Sequence, residues 1–324
     1  MQELIRDVFV NTFSNEHLSV LHDSAILPPP NGRLAFTTDS YVVRPLFFPG
    51  GDIGSMAVHG TMNDLAMSGA RPLYLSAGFI LEEGLELTTL QRVAESMAKA
   101  AQDCGVQIVC GDTKVVDRGK GDQIFINTSG IGVIPSGVDI RPDRIEPGDR
   151  IIVSGDLGSH GIAVLSVREG LSFSGNIASD SAPLHEVIAD LLNAGIIIHC
   201  LRDLTRGGLS SALNELAQDA KVQLTVEESK IPISDSVRGA CEILGLDPLY
   251  VANEGRFVMF LPATEVKRAW TVLRKHAVSH AALEIGEVKQ RQSANHNASV
   301  TLHTQIGTSR ILDLLSGEQL PRIC

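Results

Sequence analysis

Acidic side chains placed where strands and helices are expected to end are the first residues of this sequence that could carry chemistry. They are Asp39 after an apolar strand, Asp52 in a glycine-rich turn, Asp64 within a helix, and Asp112 after a second strand. Asp64 is the most informative of these, because its helix is mostly apolar and an unpaired carboxylate there is costly. A divalent cation would remove that cost, since Mg2+ prefers one or two carboxylates with phosphate oxygens and water. The alternative is that these aspartates cap helices and form turns.

Three further charged residues could act beside these aspartates. Lys114 lies two residues beyond Asp112, so a strand would bring its ammonium to the same reacting centre; the simpler alternative is a solvated loop lysine. Glu254 precedes a strand and is either a general base or a turn residue. Asp203 precedes a helix and is either its cap or a carboxylate that faces the cleft between two domains.

The common motifs of nucleotide-binding and hydrolytic sites are missing. The sequence has no G-x-x-x-x-G-K-[ST] and no G-x-G-x-x-G after a strand, which argues against a P-loop or a Rossmann site. It also lacks the G-x-S-x-G of hydrolases. Glycine-rich turns at 50–54 and 155–161 could present backbone N–H groups to phosphate or be simple turns. His59 and His160 could equally be structural or functional.

Hydrophobic periodicity predicts an α/β domain around these residues. Strands are expected at 34–38, 73–81, 106–110 and 123–134, and helices at 54–68 and from Leu90 onward, where apolar residues recur at i, i+3, i+4 and i+7. A polar segment at 141–149 with two prolines and a glycine indicates a domain boundary. We therefore expect an N-terminal domain at 1–145, a C-terminal α/β domain at 146–305 and a tail at 306–324.

The C-terminal domain shows the same alternation. Helices are expected at 183–194, 207–218, 234–245 and 263–276, with strands at 151–154, 257–261 and 282–288. The tail contains Pro321, which prevents a helix from continuing, and chain termini are usually mobile.

Composition excludes several classes of protein. A chain of 324 residues is long enough for two domains with their own cores. The net charge of −11 argues against nucleic acid or an anionic membrane as partner, and points instead to a basic patch on a partner protein. The start resembles no signal peptide and no apolar run approaches the length of a membrane span, so we expect a cytoplasmic protein. Five cysteines without a C-x-x-C pair support neither a disulfide framework nor structural zinc.

Several strings together resemble one family. They are Phe36-Thr-Thr-Asp-Ser-Tyr-Val-Val, Pro45-Leu-Phe-Phe-Pro-Gly-Gly, Asn63-Asp64, Gly111-Asp-Thr-Lys-Val-Val, 203–208, Asn253-Glu-Gly and the terminal Pro321-Arg-Ile-Cys. The sequence resembles the HypE family of carbamoyl dehydratases, which are maturation factors of [NiFe]-hydrogenase. The resemblance runs over the whole chain. The wider superfamily, which includes aminoimidazole ribonucleotide synthetase, thiamine-phosphate kinase and selenophosphate synthetase, shares the aspartates but not the tail.

The resemblance implies a fold and a set of site residues. The fold would be the two-domain α/β fold of aminoimidazole ribonucleotide synthetase, whose N-terminal domains pair through their sheets as a homodimer with ATP near the interface. Mg2+ would be held by Asp39, Asp64 and Asp112, and the same residues would bind ATP together with Asp52, Asn63, Thr113 and Asp203. Cys324, Lys114 and Glu254 would be the catalytic residues.

The implied reaction uses the terminal cysteine. A partner carbamoyltransferase would load Cys324, the enzyme would dehydrate the S-carboxamide to a thiocyanate with ATP, and the cyano group would pass to iron on a scaffold complex. Oxide is a poor leaving group, so phosphorylating the thiocarbamate oxygen makes phosphate the leaving group. Loss of both N–H protons then needs a base such as Glu254 or Lys114. A mobile tail suits a cysteine that must visit several sites.

One departure from the family leaves alternatives open. Members usually carry a segment like His-Gly-Ser-Gly-Gly upstream of the position where this sequence begins with Met1. Either the sequence is a shortened form, or its phosphate contacts are reduced and ATP turnover is impaired. The competing hypotheses are therefore a carrier or docking protein that ferries the group on Cys324 without ATP turnover, and a small-molecule kinase or synthetase that happens to end in cysteine.

Overall fold

The structure is a computed structural model and describes residues 2–20, 22–173, 175–291, 299–314 and 323. Its longer helices are α1 (Gln2–Leu4, which continues through Ile5–Val10), α2 (Ile53–Met67), α3 (Leu87–Asp103), α4 (Ser159–Arg168), α5 (His185–Asn193), α6 (Gly208–Ala220), α7 (Asp235–Leu244) and α8 (Val266–Leu273). Short helical turns lie at Leu18–Val20, Pro142–Arg144, Glu228–Lys230 and Pro248–Tyr250. None of the helices in these ranges is both long enough and apolar enough to cross a membrane.

The N-terminal domain contains a mixed sheet. Its strands are β1 (Arg33–Tyr41), β4 (Arg71–Glu82), β5 (Gln107–Val116) and β6 (Ile124–Ile134), in the order β1-β6-β4-β5. Strands β4 and β5 are parallel and α3 connects them, which is the βαβ unit that a parallel pair requires. A separate hairpin of β2 (Phe47–Phe48) and β3 (Gly51–Asp52) leads into α2. The α/β alternation predicted from the sequence is confirmed.

One face of this sheet is covered by helices. Asp39, Thr128, Ala77 and Gly111 lie opposite one another across the four strands and therefore point to the same side. The Thr128 hydroxyl on this side donates to the Ala57 carbonyl of α2 at 3.0 Å. This is the helix-covered face, and α1 and α3 also pack on it through their apolar residues.

The opposite face carries no helix within the described residues, and we call it the open face. The neighbouring row of Ser40, Asn127, Gly78 and Asp112 points to it. Large apolar side chains are exposed on it, namely Leu34, Phe36 and Ile80. Exposed apolar patches of this kind mark sites of association in proteins that otherwise have ordinary surfaces.

The C-terminal domain is built on a larger sheet. Its strands are β7 (Asp149–Val153), β8 (Cys200–Asp203), β9 (Gln223–Glu227), β10 (Phe257–Pro262), β11 (Leu283–Lys289), β12 (Ser299–His303) and β13 (Ser309–Leu312), in the order β13-β12-β9-β11-β7-β10-β8. One apolar core lies between this sheet and α6, and a second lies between its other side and helices α5 and α8. The predicted boundary at 145/146 falls between β6 and β7 and stays a prediction.

The beginning of the expected tail is part of this sheet. Strand β13 pairs with β12 inside the segment that we expected to be a tail from residue 306 onward. The Leu312 side chain is fully buried, and its carbonyl accepts a hydrogen bond from Asn214 at 2.8 Å. The residues up to Leu312 are therefore part of the C-terminal sheet, and a separate tail cannot begin before residue 313.

Helix α2 joins the two domains. Its last apolar residues, Ala66 and Met67, belong to the same buried cluster as α5 and α8 of the C-terminal domain. The Asn63 amide oxygen accepts from the Leu184 backbone N–H at 2.8 Å, and its nitrogen donates to the carbonyls of Ala182 and Glu254 at 3.1 and 3.2 Å. These bonds fix α2 against the loop before α5, so the cleft between the domains has defined walls.

Candidate active site

A polar cavity of about 540 Å3 lies where the edge of the N-terminal sheet meets β8. Three of the predicted carboxylates line it: Asp39 from β1, Asp64 from α2 and Asp203 from the end of β8. Arg141, Arg202 and Arg206 line the same cavity. Carboxylates beside guanidinium groups suit a ligand that combines a cation with phosphate, because guanidinium pairs well with phosphate oxygens.

The carboxylates of this cavity repel one another. Burial raises the pKa of Asp203 to about 7, and the neighbouring charges of Asp64 and Asp39 add to the effect, while Arg202 opposes it. Burial likewise raises the pKa of Asp64, although the Thr37 hydroxyl donates to its Oδ2 at 2.8 Å and lowers it. A bound cation would relieve this repulsion, and Asp39, Asp64 and Asp203 are the carboxylates of this cavity that could hold one.

Glu254 lies close to these aspartates and is 3% exposed. Burial raises its pKa well above the ordinary value, and Asp203 is the next largest cause, followed by Asp180, Asp39 and Asp64. A carboxyl group with a raised pKa is a stronger base once ionised, which is the property that a general base needs near neutral pH.

The backbone around Glu254 is held by a dense set of bonds. Its N–H donates to Asp180 Oδ1 at 3.0 Å, and the preceding Asn253 accepts from the Gly158 N–H at 2.7 Å. At Gly255 a Cβ atom would lie 1.9 Å from the Asp180 carbonyl oxygen, so no larger residue fits. The string Asn253-Glu-Gly therefore presents Glu254 from a rigid turn.

Two predicted ligands have structural roles in this chain. Asp52 caps α2, since its Oδ1 accepts from the N–H groups of Gly54 and Ser55 at 2.8 and 3.1 Å. Its Oδ2 accepts from the Ser96 hydroxyl at 2.6 Å. Asn63 is 1% exposed and uses its amide in the bonds between the domains described above. Neither side chain lines the polar cavity.

Asp112 and Lys114 lie apart from the other predicted site residues. Both point to the open face, where Lys114 Nζ lies 2.7 Å from Asp112 Oδ1, whereas Asp39 points to the helix-covered face. Lys114 lies next to Asp112, as expected. Within a single chain, however, Asp112 lies on the opposite face of the sheet from Asp39 and so does not join Asp39 and Asp64. The pKa of Asp112 is held below its usual value by the Lys114 ammonium. Thr113 lines a small apolar cavity of about 120 Å3 under α1.

The end of the chain lies against the C-terminal domain near the start of α4. Ile323 is 2% exposed, and its carbonyl oxygen lies 3.0 Å from Nε2 of His160, near the start of α4. Cys324, the predicted reactive residue, lies outside the described residues, as do Pro321 and Arg322.

Sequence reasoning missed Asp180 and the three arginines. Asp180 lies in a loop without periodic pattern, and the arginines belong to segments that look like ordinary charged surface. A signal existed only for Arg202 and Arg206, which flank Asp203 in the sequence.

Comparison with known proteins defines the class. Residues 21–134 match the family model described as AIR synthase related protein, N-terminal domain, and residues 146–297 match the corresponding C-terminal domain. The fold is thus that of an AIR synthase related protein.

Within this class the chain belongs to the carbamoyl dehydratase HypE family. The carbamoyl dehydratase HypE of Azotobacter vinelandii is 52% identical over 324 residues, which is 100% of this chain and 94% of the relative. A solved structure of the hydrogenase maturation protein HypE in complex with ATP is 50% identical and superposes with a TM-score of 0.95, covering 100% of this chain and 96% of that chain. A structure of a HypE–HypF complex is 45% identical with a TM-score of 0.83 and covers 96% of this chain and 99% of that chain.

Proposed function

We propose that this chain is an ATP-dependent carbamoyl dehydratase that converts an S-carboxamide on its own Cys324 to a thiocyanate during [NiFe]-hydrogenase maturation. The observation that carries the proposal is the placement of Ile323. The residue bonded to Cys324 is buried in the same apolar cluster as Ala252, two residues before Glu254, a carboxyl group with a raised pKa. The similarity to carbamoyl dehydratases over the whole chain supports it.

ATP and a divalent cation would occupy the polar cavity. Asp39, Asp64 and Asp203 would offer carboxylate oxygens to Mg2+, and the arginines that line the cavity would bind the phosphates. When bound, the cation would neutralise phosphate charge during transfer. The related HypE structure that contains ATP supports nucleotide binding by this fold.

Dehydration consumes one ATP. The oxygen that is removed from the S-carboxamide leaves as part of the phosphate product. The thiocarbamate oxygen accepts the γ-phosphoryl group, and ADP leaves. The C–O bond then breaks, phosphate departs with that oxygen, and the two N–H protons are lost so that a C≡N bond forms. Glu254 would take one of these protons as general base, since burial and the neighbouring carboxylates raise its pKa, and the departing phosphate would carry the other.

Lys114 would reach this centre from a second chain. It lies on the open face with Phe36 and Leu34, whereas Glu254 lies beside the helix-covered face of the same chain. If two N-terminal sheets pack through their open faces, Lys114 and Asp112 of one chain approach the cleft of the other. The homodimer is therefore part of the proposal, because one chain alone supplies an incomplete site.

Partners follow from the same chemistry. A carbamoyltransferase would load Cys324, and an iron-carrying scaffold complex would accept the cyano group. The HypE–HypF complex of a relative supports a docking partner for this fold. The cytoplasmic location expected from the sequence stays a prediction.

Mass spectrometry of the C-terminal peptide tests the reaction. The protein is incubated with the carbamoyltransferase and carbamoyl phosphate, repurified because the transferase itself can consume ATP, and then given Mg-ATP. We expect one carbamoyl group on Cys324, followed by loss of one water only when Mg-ATP is present. Glu254→Gln should be loaded normally and fail to lose water, while Glu242→Gln on the exposed side of α7 serves as the matched control.

The other outcomes identify the competing functions. Carbamoylation without loss of water in the wild-type chain would favour the carrier protein, and calorimetry with Mg-ATP would then show no heat of binding. An unmodified Cys324 together with activity that survives removal of the tail would favour the small-molecule kinase or synthetase.

A further inference from the structure

The penultimate residue of this chain is buried, which is unusual for a chain end. Termini are generally exposed unless something holds them. Ile323 belongs to the same apolar cluster as Phe48 of β2, Val164 of α4 and Ala252 beside Glu254. These residues come from both domains, so the end of the chain occupies a site that exists only when the domains are assembled.

His160 provides the polar contact of this site. It is fully buried, its Nε2 lies 3.0 Å from the Ile323 carbonyl oxygen, and its Nδ1 lies 2.8 Å from the Ser179 hydroxyl. The ring of Phe48 meets the imidazole edge-on, with centroids 5.4 Å apart and an interplanar angle of 87°. Both ring nitrogens therefore have one partner each, and the ring plane is fixed.

The hydrogen bonds assign the tautomer of this histidine. A carbonyl oxygen can only accept, so Nε2 must carry the proton that it donates to Ile323. The Ser181 backbone N–H donates to the Ser179 oxygen at 3.0 Å, which leaves the Ser179 proton free to be donated to Nδ1. Burial lowers the pKa of His160, which is consistent with a neutral ring. The chain of donors thus runs in one direction from Ser181 to Ile323.

The same framework holds Glu254. The Gly161 N–H, adjacent to His160, donates to the Ala252 carbonyl at 3.1 Å. Asp180, adjacent to Ser179, accepts from the Glu254 N–H at 3.0 Å. The group that contacts the chain end and the candidate base are therefore connected on both sides through adjacent residues, and neither can shift without the other.

We propose that His160 is a positioning residue, which holds the end of the chain through the Ile323 carbonyl and on which dehydration of the S-carboxamide carried by Cys324 depends. The proposal rests on the function proposed above and adds the group that recognises the substrate-bearing end. The buried Ile323 side chain contributes most of the binding energy of the chain end. The contact between His160 and the Ile323 carbonyl fixes the position in which the chain end binds.

Two substitutions separate the donor from the bulk of the ring. His160→Phe keeps the volume and removes the donor, whereas His160→Gln keeps an N–H at a similar distance from the backbone. Ser179→Ala keeps the imidazole and removes the hydroxyl that sets its tautomer. Ser166→Ala is the control, because its hydroxyl bonds to Ala163 within the same helix and touches neither the tail nor Glu254.

The first readout is the rate at which iodoacetamide alkylates Cys324 in the folded, full-length protein. Cleavage after Lys289 releases residues 290–324, in which Cys324 is the sole cysteine, so its modification is measured without interference. Loss of one buried hydrogen bond should make alkylation roughly fivefold faster in His160→Phe and about twofold faster in Ser179→Ala. His160→Gln and Ser166→Ala should stay close to the wild-type rate.

The second readout is the single-turnover loss of water from carbamoylated Cys324. In His160→Phe the first-order rate should fall roughly fivefold while the Mg-ATP concentration for half-maximal rate stays unchanged, because His160 does not line the polar cavity. Equal alkylation rates in wild type and His160→Phe would overturn the proposal. A His160→Gln variant as defective as His160→Phe would also overturn it, since the donor would then be irrelevant.

The two proposals fail in different ways. If wild-type protein never loses water from carbamoylated Cys324, the dehydratase function is wrong, yet the alkylation rates still decide whether His160 holds the chain end. If water is lost normally in every variant, the function stands and His160 has no positioning role.

Discussion

At the scale of single residues, the active cleft gathers carboxylates that would ionise more easily apart. Asp203, Asp64 and Glu254 all have raised pKa values because burial and mutual repulsion disfavour their charged forms. Such an arrangement costs stability and is retained where a cation or a proton transfer makes use of it.

Asp203 should make the folded protein less stable as the pH rises. Its pKa is about 7 in the folded state and near the ordinary 3.8 when unfolded, so between these values the folded chain holds a proton that the unfolded chain has lost. The stability cost is therefore small at acid pH, grows through this window and is complete above pH 7. Asp203→Asn removes it, and the gain in unfolding free energy should be about 1–3 kcal/mol larger at pH 8 than at pH 5.

Thermal unfolding followed by circular dichroism at the two pH values measures this difference. Asp219→Asn is a suitable control, because Asp219 is an exposed residue of the same domain. A gain of equal size at both pH values would contradict the assignment of a buried, repelled carboxyl group to Asp203.

Residue roles were only partly accessible from the sequence. The family resemblance grouped Asp39, Asp64 and Asp112 as metal ligands and Asp203 as a further ATP-binding residue. The structure instead places Asp39, Asp64 and Asp203 around one cavity and Asp112 on the open face. Strand alternation correctly placed Asp112 and Lys114 on one side of β5. It could not say which side, because that depends on the face that α2 and α3 cover, and this is a tertiary property.

At the scale of elements, α2 has two tasks. It begins with the cap Asp52 and ends in the core of the other domain. Most residues of α2 are buried, because the helix is covered on several sides. It is therefore apolar almost all round and lacks the polar face of an amphipathic helix.

Asn63→Ala should weaken the contact between the domains. The substitution leaves the Leu184 N–H and the carbonyls of Ala182 and Glu254 without their partner in a buried place, which should cost about 2–4 kcal/mol. Urea unfolding measures the loss, with fluorescence of the single Trp270 in α8 reporting the C-terminal domain.

Gln91→Ala is the matched control for this measurement. Gln91 lies on the exposed side of α3, where its amide bonds only to Glu95, so its loss should cost less than about 0.5 kcal/mol. Similar midpoints for Asn63→Ala and wild type would mean that the domains are held by apolar packing alone.

Most elements were predictable because their apolar residues recur with a clear period. The amphipathic α3 and the long strands β4 and β6 match the expected ranges within a few residues. Strands β8, β9, β12 and β13 escaped prediction because they are only four or five residues long and about half polar, so only pairing with neighbours makes them strands. The error about the start of the tail has the same origin.

At the scale of the whole molecule, the exposed apolar residues of the open face are where the proposed homodimer would form. Phe36 is 70% exposed on it, and Phe36→Glu should convert a dimer into a monomer, because a charge would be buried in the contact between two sheets. Analytical ultracentrifugation gives the mass. Ile243→Glu is the control, since Ile243 is 77% exposed on α7 of the other domain and should leave the dimer intact. A monomeric wild-type protein would refute this arrangement.

Mixing two inactive variants tests whether the site is shared. Lys114→Ala and Glu254→Gln should each fail to dehydrate carbamoylated Cys324. If Lys114 acts on the partner chain, an equal mixture forms hybrid dimers with one intact site, and about a quarter of the wild-type activity should return after subunit exchange. Activity that stays absent although exchange is demonstrated by mass would place both residues on one chain's own site.

The buried Ile323 has a consequence for turnover. In the proposed function the substrate is part of the enzyme, so raising its concentration would not speed the reaction, and each loaded chain would react once before an acceptor protein unloads it. Burying one isoleucine contributes about 2 kcal/mol and one neutral hydrogen bond about 1 kcal/mol, and ordering the end of the chain offsets part of this. Binding of the chain end with a free energy of that size is rapidly reversible. If the chain end bound more tightly, dehydration would be faster but the cyano group would leave the site more slowly. Transfer of the cyano group to the acceptor should therefore be fastest at an intermediate binding strength.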